Sequence, residues 1–132
     1  GLTATATCSV SAEPPQLLVC VNKEAGAHDL IQEEGVFGVN VLARDQEDIA
    51  KRFAGIDGAD RIDRYSLGVW TKIATGAPIL EGALASFDCQ VAESMTAGTH
   101  SIFIGRIVGI NFRAGPPLIY GDAQFTGLSI PL

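Results

Sequence analysis

The chain opens with residues 1–23, GLTATATCSVSAEPPQLLVCVNK, in which polar and apolar residues alternate from Thr3 to Ser11. Strict alternation predicts an extended strand, because successive side chains of a strand point to opposite faces. Two prolines end this strand, and residues 16–21 predict a second, largely buried strand that runs into Asn22-Lys23. One face of the first strand carries hydroxyls and the other small apolar groups: Thr3, Thr5, Thr7, Ser9 and Ser11 against Ala4, Ala6, Cys8 and Val10.

This first strand suits a flat ligand. An aromatic ring could lie close to such a backbone, with main-chain N–H groups and hydroxyls bonding its polar edge. An ordinary half-exposed strand is the alternative, since Thr is common in strands.

The rest of the sequence predicts further strands and two short helices. Residues 24–35 predict a loop and a short helix that ends at Gly35. A second helix is predicted from an N-cap at Asp45 to Gly55. Residues 56–73 are expected to form a long surface excursion anchored by Trp70. The pattern predicts one mainly β domain over residues 1–132, built as a small closed barrel. Its other strands are predicted at residues 36–43, 83–93, 100–112 and 118–120.

The longest predicted strand, residues 100–112, combines apolar residues with two glycines. Gly105 and Gly109 are expected to leave room for a neighbour on one face. The other face is predicted to be apolar except at Arg106, with Ile102, Ile104, Val108, Ile110 and Phe112.

The composition argues against several classes of function. The chain of 132 residues has a net charge of −6, so no basic surface is available to bind nucleic acid or an anionic membrane. No apolar run approaches the roughly 20 residues needed to span a bilayer. P-loop, Rossmann, HExxH and GxSxG motifs are absent, and with only two histidines no metal site is expected.

The three cysteines, Cys8, Cys20 and Cys89, are expected to be free. Their odd number and the lack of CxxC spacing argue against a disulfide framework or a structural zinc site. We therefore expect small apolar thiols and a reducing, cytoplasmic location.

Short blocks of the sequence together resemble the short-chain flavin reductase family. The opening signature comprises residues 1–6 and 8–11 and the Pro14-Pro15 pair. One block is weak evidence, whereas an ordered set over nearly the whole chain is specific. The later blocks follow in the family's order at residues 21–23, 28–31, 37–42, 49–55, 76–83 and 98–107.

The resemblance implies a mainly β split barrel with two short helices that binds FMN or, alternatively, FAD. It implies an NADH- or NADPH-dependent flavin reductase whose reduced flavin serves a separate oxygenase. A non-catalytic flavin-binding or electron-transfer module remains an alternative, as does a structural barrel without a cofactor. Members of this family usually have another strand before Gly1, so we expect either that the sequence is trimmed there or that something else fills that edge. Because family members are commonly homodimers, a partner chain is one candidate to lie near the edge.

The resemblance also implies where the flavin lies. Its phosphate is expected at Asn22-Lys23 and the following helix start, with Ala27 and His28 nearby. Arg52 and Phe53 are expected to flank the flavin, although core packing is an equal alternative for Phe53. The ring is expected against the first strand, chiefly its backbone, at Thr3, Thr5, Ala6, Thr7 and Cys8.

His100 is the implied catalytic residue. It follows Gly98 and Thr99 at the turn before the longest strand, where the resembled family places a His beside the nicotinamide. From the residues alone, an exposed Lys23 and an exposed His100 are the simpler interpretation, because both residue types are common on surfaces.

Overall fold

The structure, a computed structural model, describes residues 1–4 and 6–129 and consists mainly of β-strands. Thr5, a predicted ring contact, lies outside the described residues. The two predicted helices are α1 (Gly26–Glu34) and α2 (Glu47–Ala54). A 3-10 helix at Arg44–Gln46 directly precedes α2, and another at Arg61–Ser66 follows it. The strands are β1 (Thr7–Ala12), β2 (Pro15–Asn22), β3 (Val36–Val41), β4 (Trp70–Thr71), β5 (Ile79–Leu80), β6 (Ala85–Ala97), β7 (His100–Phe112), β8 (Ile119–Gly121) and β9 (Gln124–Thr126).

Five strands form one antiparallel sheet in the order β1-β2-β7-β6-β3. The long hairpin of β6 and β7, each 13 residues, runs through its centre. The mainly β split-barrel class is confirmed. The closed barrel is wrong, because the edge strands β1 and β3 do not pair with each other in the described part of the chain. β4 with β5, and β8 with β9, form separate two-stranded pairs.

β1 begins at Thr7, four residues later than the alternation predicted. The Thr3 hydroxyl donates to the Ala50 carbonyl at 2.6 Å, and the Thr3 N–H donates to the Phe53 carbonyl at 3.3 Å. Thr3 is therefore bound to α2 and does not join the ladder with β2.

The helix ends agree with the predictions better than the helix starts. Gly35 and Gly55 follow α1 and α2 with φ of 70° and 75°, a conformation that glycine adopts without steric cost. The predicted N-cap at Asp45 is wrong, since that residue lies in a 3-10 helix and Gln46 precedes α2. No helix among the described residues has the length and hydropathy to cross a bilayer.

A β-bulge divides β7 into two parts. The register with β6 shifts between Asp88 and Cys89, which leaves Val108 without a partner residue. Side chains beyond the bulge change face, because the side-chain period of a strand is two. The prediction of one shared apolar face is therefore wrong: Ile102 and Ile104 lie on one face, and Ile110 and Phe112 lie on the other.

The larger core covers one face of the sheet, called here the inner face. It consists of Leu17, Val19, Val21, Phe37, Cys89 and Phe103, all buried, with Ile31 of α1 packed against them. A Cβ on Gly105 would lie 2.5 Å from Cζ of Phe37, so the missing side chain admits that ring. The same holds at Gly109, where Cγ2 of Ile73 would lie 2.6 Å away. Both glycines therefore leave room for a neighbour, as predicted. The prediction that they share one face is wrong, because the bulge places Gly109, the partner of Asp88, on the face opposite Gly105.

A second core joins α2 to the β4–β5 pair and fixes the long excursion. Its buried residues are Ile49, Phe53, Leu80 and Ala83. The Trp70 and Phe53 ring centroids lie 5.3 Å apart, and the Trp70 indole N–H donates to the Leu67 carbonyl at 2.9 Å. Trp70 therefore anchors the excursion, as predicted.

The buried carboxylate of Asp88 holds the next loop against the sheet. It accepts hydrogen bonds from the Ala74 and Thr75 N–H groups at 2.7 and 2.8 Å. The Thr75 hydroxyl donates to the other carboxylate oxygen at 2.5 Å. Each is a charge-assisted bond in a buried setting, so the loop is tightly fixed.

We predict that Gly105→Ala destabilises the fold. The new methyl group would meet the Phe37 ring and the Cys89 Cβ, and overpacking of this kind costs about 1–3 kcal/mol. Urea unfolding followed by circular dichroism measures this cost. Gly121→Ala is the matched control, because no atom of residues 1–4 or 6–129 lies within 4 Å of its Cβ position. Equal stabilities of the two variants would contradict this packing.

Candidate functional site

The turn between β6 and β7 brings two predicted regions of the site together. Asn22, the last residue of β2, is the cross-strand partner of His100, the first residue of β7. The Lys23 N–H donates to the Thr99 carbonyl at 3.0 Å. Asn22, Lys23, Glu24 and Thr99 line an open cleft of about 240 Å³. Residues separated by more than 70 positions therefore meet at one end of the sheet.

The start of α1 opens beside this cleft. The Ala25 N–H donates to the Asn22 carbonyl and the His28 N–H donates to the Ala25 carbonyl, each at 3.0 Å. The first four N–H groups of a helix have no partner within the helix, so those of Gly26 and Ala27 remain for a ligand. They also carry the positive end of the helix dipole.

Lys23 and Arg61 add positive charge at this helix start. Lys23 is exposed. A Cβ on Gly26 would lie 3.4 Å from Nη1 of Arg61, which places that guanidinium against the first turn of α1. This arrangement suits an anion with several oxygens, such as a phosphate.

Arg52 holds the loop that carries Arg61. Its Nε donates to Asp57 at 2.5 Å and its Nη1 to the Asp63 carbonyl at 2.8 Å. The bond from Arg52 also holds the pKa of Asp57 below its usual range. Arg52 therefore acts on the site through this loop, since its guanidinium is engaged with the loop itself.

Phe53, the predicted neighbour of Arg52 at the flavin, is a core residue. It is 7% exposed, and its ring meets Tyr65 with the centroids 5.1 Å apart. The structure favours the core-packing alternative for this residue. Burial also raises the pKa of the neighbouring Tyr65 hydroxyl.

The described residues of the predicted ring site differ in their positions. The Ala6 carbonyl accepts from the Cys20 N–H at 3.0 Å, and Ala6 and Cys8 are both exposed. The Thr7 hydroxyl donates to the Leu18 carbonyl at 2.9 Å. Because Thr3 is bound to α2, the accessible part of the predicted surface is residues 6–8.

His100 is half-buried, and its Nδ1 lies 2.8 Å from the Thr99 hydroxyl oxygen. As the register partner of Asn22, it lies on the same face of the sheet as that residue. The structure therefore brings His100, Asn22 and Lys23, three of the predicted site residues, close together.

His28 is buried, although it was predicted as a cofactor contact. It is 7% exposed; its Nε2 lies 2.7 Å from the Ser101 hydroxyl and its Nδ1 lies 3.0 Å from the Asp29 carboxylate. Both nitrogens are engaged, so in this arrangement neither can bind a ligand. Its neighbour Ala27 can contribute only its backbone N–H.

The described part of the chain shows neither a group of side chains that would hold a metal ion nor a reactive buried thiol at this site. Within residues 1–4 and 6–129, no three His, Cys, Asp or Glu side chains are grouped to hold a metal ion. Burial, with the adjacent Asp88 carboxylate, raises the pKa of the Cys89 thiol to about 12. Cys89 is therefore protonated at neutral pH and acts as a core residue.

Comparison with known proteins identifies the family. The model of the flavin reductase like domain matches residues 1–129. This chain belongs to the flavin reductase-like family. The resemblance of the ordered sequence blocks is thereby confirmed.

Its relatives include enzymes named for flavin reduction. The chain is 44% identical over 126 residues to the FMN reductase (NADH) RutF of Agrobacterium fabrum strain C58, covering 95% of this chain and 71% of that protein. It is 39% identical over 126 residues to the 4-hydroxyphenylacetate 3-monooxygenase reductase component of Escherichia coli, covering 95% and 74%.

Solved structures agree in fold. BorF, the flavin reductase component of a bacterial two-component tryptophan halogenase, superposes with a TM-score of 0.87 at 39% identity, covering 98% of this chain and 82% of that one. The Streptomyces globisporus C-1027 NADH:FAD oxidoreductase SgcE6, in complex with NAD and FAD fragments, gives 0.89 at 30% identity, covering 98% and 77%.

Sequence reasoning missed three residues of this region: Arg61, Thr99 and Ser101. Thr99 was visible as part of the turn before His100. Arg61 lies in an irregular loop and Ser101 in a regular strand, so neither carried a local signal that would connect it to the start of α1. Only the tertiary structure makes those connections.

Proposed function

We propose that the protein is an NADH-dependent flavin reductase that uses FMN, with FAD as the alternative flavin. The observation that carries the proposal is the meeting of Asn22-Lys23, the start of α1 and His100 at one cleft. Family membership and the names of the relatives support NADH as the reductant. A bound flavin supplies the acceptor for the hydride of NADH.

The described residues fit a flavin phosphate. Among the described residues, a Cβ at Gly26 would meet only the Arg61 guanidinium within 4 Å, so a ligand can approach the helix start closely. The N–H groups of Gly26 and Ala27 would donate to the phosphate, while Lys23 and Arg61 would balance its charge. The cleft of about 240 Å³ is smaller than a typical ligand pocket, which suits the phosphate end of a longer ligand.

The ring end of the flavin would lie along residues 6–8. The small side chains of Ala6 and Cys8 keep the backbone accessible there, as the sequence predicted. We assign contact with the nicotinamide to His100, and the Thr99 hydroxyl would fix its ring through Nδ1. His100 would then contribute by positioning the hydride donor, since proximity and orientation can supply roughly 7–11 kcal/mol in ideal cases.

We further propose a homodimer that passes reduced flavin to a separate oxygenase in the cytoplasm. The face of the sheet opposite the inner face, called here the outer face, exposes an apolar patch that a second copy of the chain could cover. The patch consists of Leu18, Cys20, Met95, Ile102 and Ile104. The three free cysteines are consistent with a reducing compartment.

Lys23→Ala tests the phosphate site. Loss of the ammonium should weaken FMN binding much more than riboflavin binding, by about 1.5–3 kcal/mol for a hydrogen bond to a charged group. Isothermal titration with both flavins measures the difference. Lys72→Ala is the matched control, an exposed Lys in the loop between β4 and β5. Equal losses for FMN and riboflavin in Lys23→Ala would place the phosphate elsewhere.

His100→Ala tests the nicotinamide site. Flavin affinity should stay nearly unchanged, whereas stopped-flow reduction of the flavin-loaded protein by NADH should slow on the order of a hundredfold or need more NADH. Gln90→Ala, an exposed position on β6, serves as the control. Reduction at the wild-type rate across the NADH range would make His100 an ordinary turn residue.

A further inference from the structure

His28 and Ser101 form a buried polar pair that the proposed chemistry does not use. His28 is 7% exposed and Ser101 5%, and 2.7 Å separate Nε2 from the hydroxyl oxygen. The His28 ring also packs on Phe103, with the ring centroids 5.5 Å apart. A buried hydrogen bond between side chains 73 positions apart in the chain requires a structural or functional reason.

The hydrogen-bond partners determine the tautomer of His28. An ionised carboxylate only accepts hydrogen bonds, so the nitrogen facing Asp29, Nδ1, carries the hydrogen. In the neutral ring, Nε2 therefore accepts the hydrogen bond that the Ser101 hydroxyl donates. The pair is directional, and both of its groups are held in one orientation.

The chain of contacts from Asp29 through His28 to Ser101 has the residue types of a catalytic Ser-His-Asp triad. The position of Ser101, however, does not suit acyl transfer. Ser101 lies within β7, between its partner residues Val21 on β2 and Thr96 on β6. A buried hydroxyl on the central strand of a sheet, covered by α1, is not accessible to a substrate carbonyl. The pair must therefore act on the arrangement of the elements it joins.

The two elements carry opposite ends of the proposed site. His28 lies in the first turn of α1, directly after Gly26 and Ala27, whose N–H groups face the proposed phosphate. Ser101 directly follows His100. α1 packs mainly on β2 and β3, so the hydrogen bond between His28 and Ser101 is a direct link from this helix to β7.

We propose that His28 is a positioning residue that fixes the phosphate-binding start of α1 relative to the nicotinamide-binding start of β7. This inference rests on the proposed function. A rigid distance between the two ends matters because a misplacement of about 1 Å can cost on the order of a hundredfold in rate. His28 thus acts on the flavin through the helix start and on NADH through Ser101 and His100.

Ser101→Ala and His28→Phe test the link. The first removes one oxygen, and the second keeps a ring against Phe103 but removes both nitrogens. Each should raise the Kd for FMN more than the Kd for riboflavin. Each should also raise the KM for NADH on the order of tenfold, while kcat changes less. The double variant should equal the single variants, since all three break the same bond. His28→Gln, which retains an acceptor that can reach Ser101, should restore most of the loss.

Gln32→Ala is the matched control on the same helix. Gln32 is exposed and lies outside the His28–Ser101 link, so neither the ratio of the Kd values for FMN and riboflavin nor the KM for NADH should change. Hydrogen exchange of the flavin-free protein gives a second readout: residues 23–28 and 97–101 should exchange faster in Ser101→Ala than in Gln32→Ala.

Two outcomes overturn the inference. In the first, Ser101→Ala and His28→Phe lose thermal stability, but the ratio of the Kd values for FMN and riboflavin, the KM for NADH and the exchange of residues 23–28 and 97–101 stay unchanged. The pair would then be purely structural. The other is additive effects in the double variant. Failure of the wild-type protein to oxidise NADH with flavin would instead contradict the proposed function, while the exchange experiment would still test the link.

Discussion

The antiparallel pairing of β2 with β7 places Asn22 opposite His100, and the rest of the site depends on this register. A slip by one residue would turn every side chain of β7 to the other face, moving His100 to the inner face and Phe103 to the outer one. Burial of Phe103 with Val19 and Val21 therefore fixes the register. The same hydrophobic core that stabilises the sheet determines which residues meet at the cleft.

The helix start and the long excursion complete the site from the other side. α1 begins three residues after Lys23, because Asn22 accepts the N–H groups of both Glu24 and Ala25. Arg52 holds the excursion through Asp57, so that Arg61 reaches the first turn of α1. Polar bonds between distant segments thus bring the positive groups together, whereas the apolar cores provide the supporting scaffold.

The alternation of polar and apolar residues predicted most strands of the sheet. It failed where contacts with residues distant in the sequence determine the start of a strand or the position of a side chain. Alternation identified β1, yet its start was misplaced because α2 carbonyls bind Thr3. Gly109 directly follows the bulge at Val108, but a glycine within a strand pattern can equally leave room for a neighbour, so the sequence did not predict the change of face beyond it. Asn22, Lys23 and His100 were predicted from the resemblance, but the buried position of His28 depends on Ser101, which only the fold brings near.

Steady-state oxidation of NADH with added FMN, FAD or riboflavin tests the central claim most directly. The account predicts sustained NADH consumption that requires free flavin, with FMN favoured over riboflavin because the phosphate is bound. Flavin binding without NADH consumption would indicate a flavin-binding module instead of a reductase. The absence of any flavin binding would contradict the assignment of the cleft between Lys23, the start of α1 and His100.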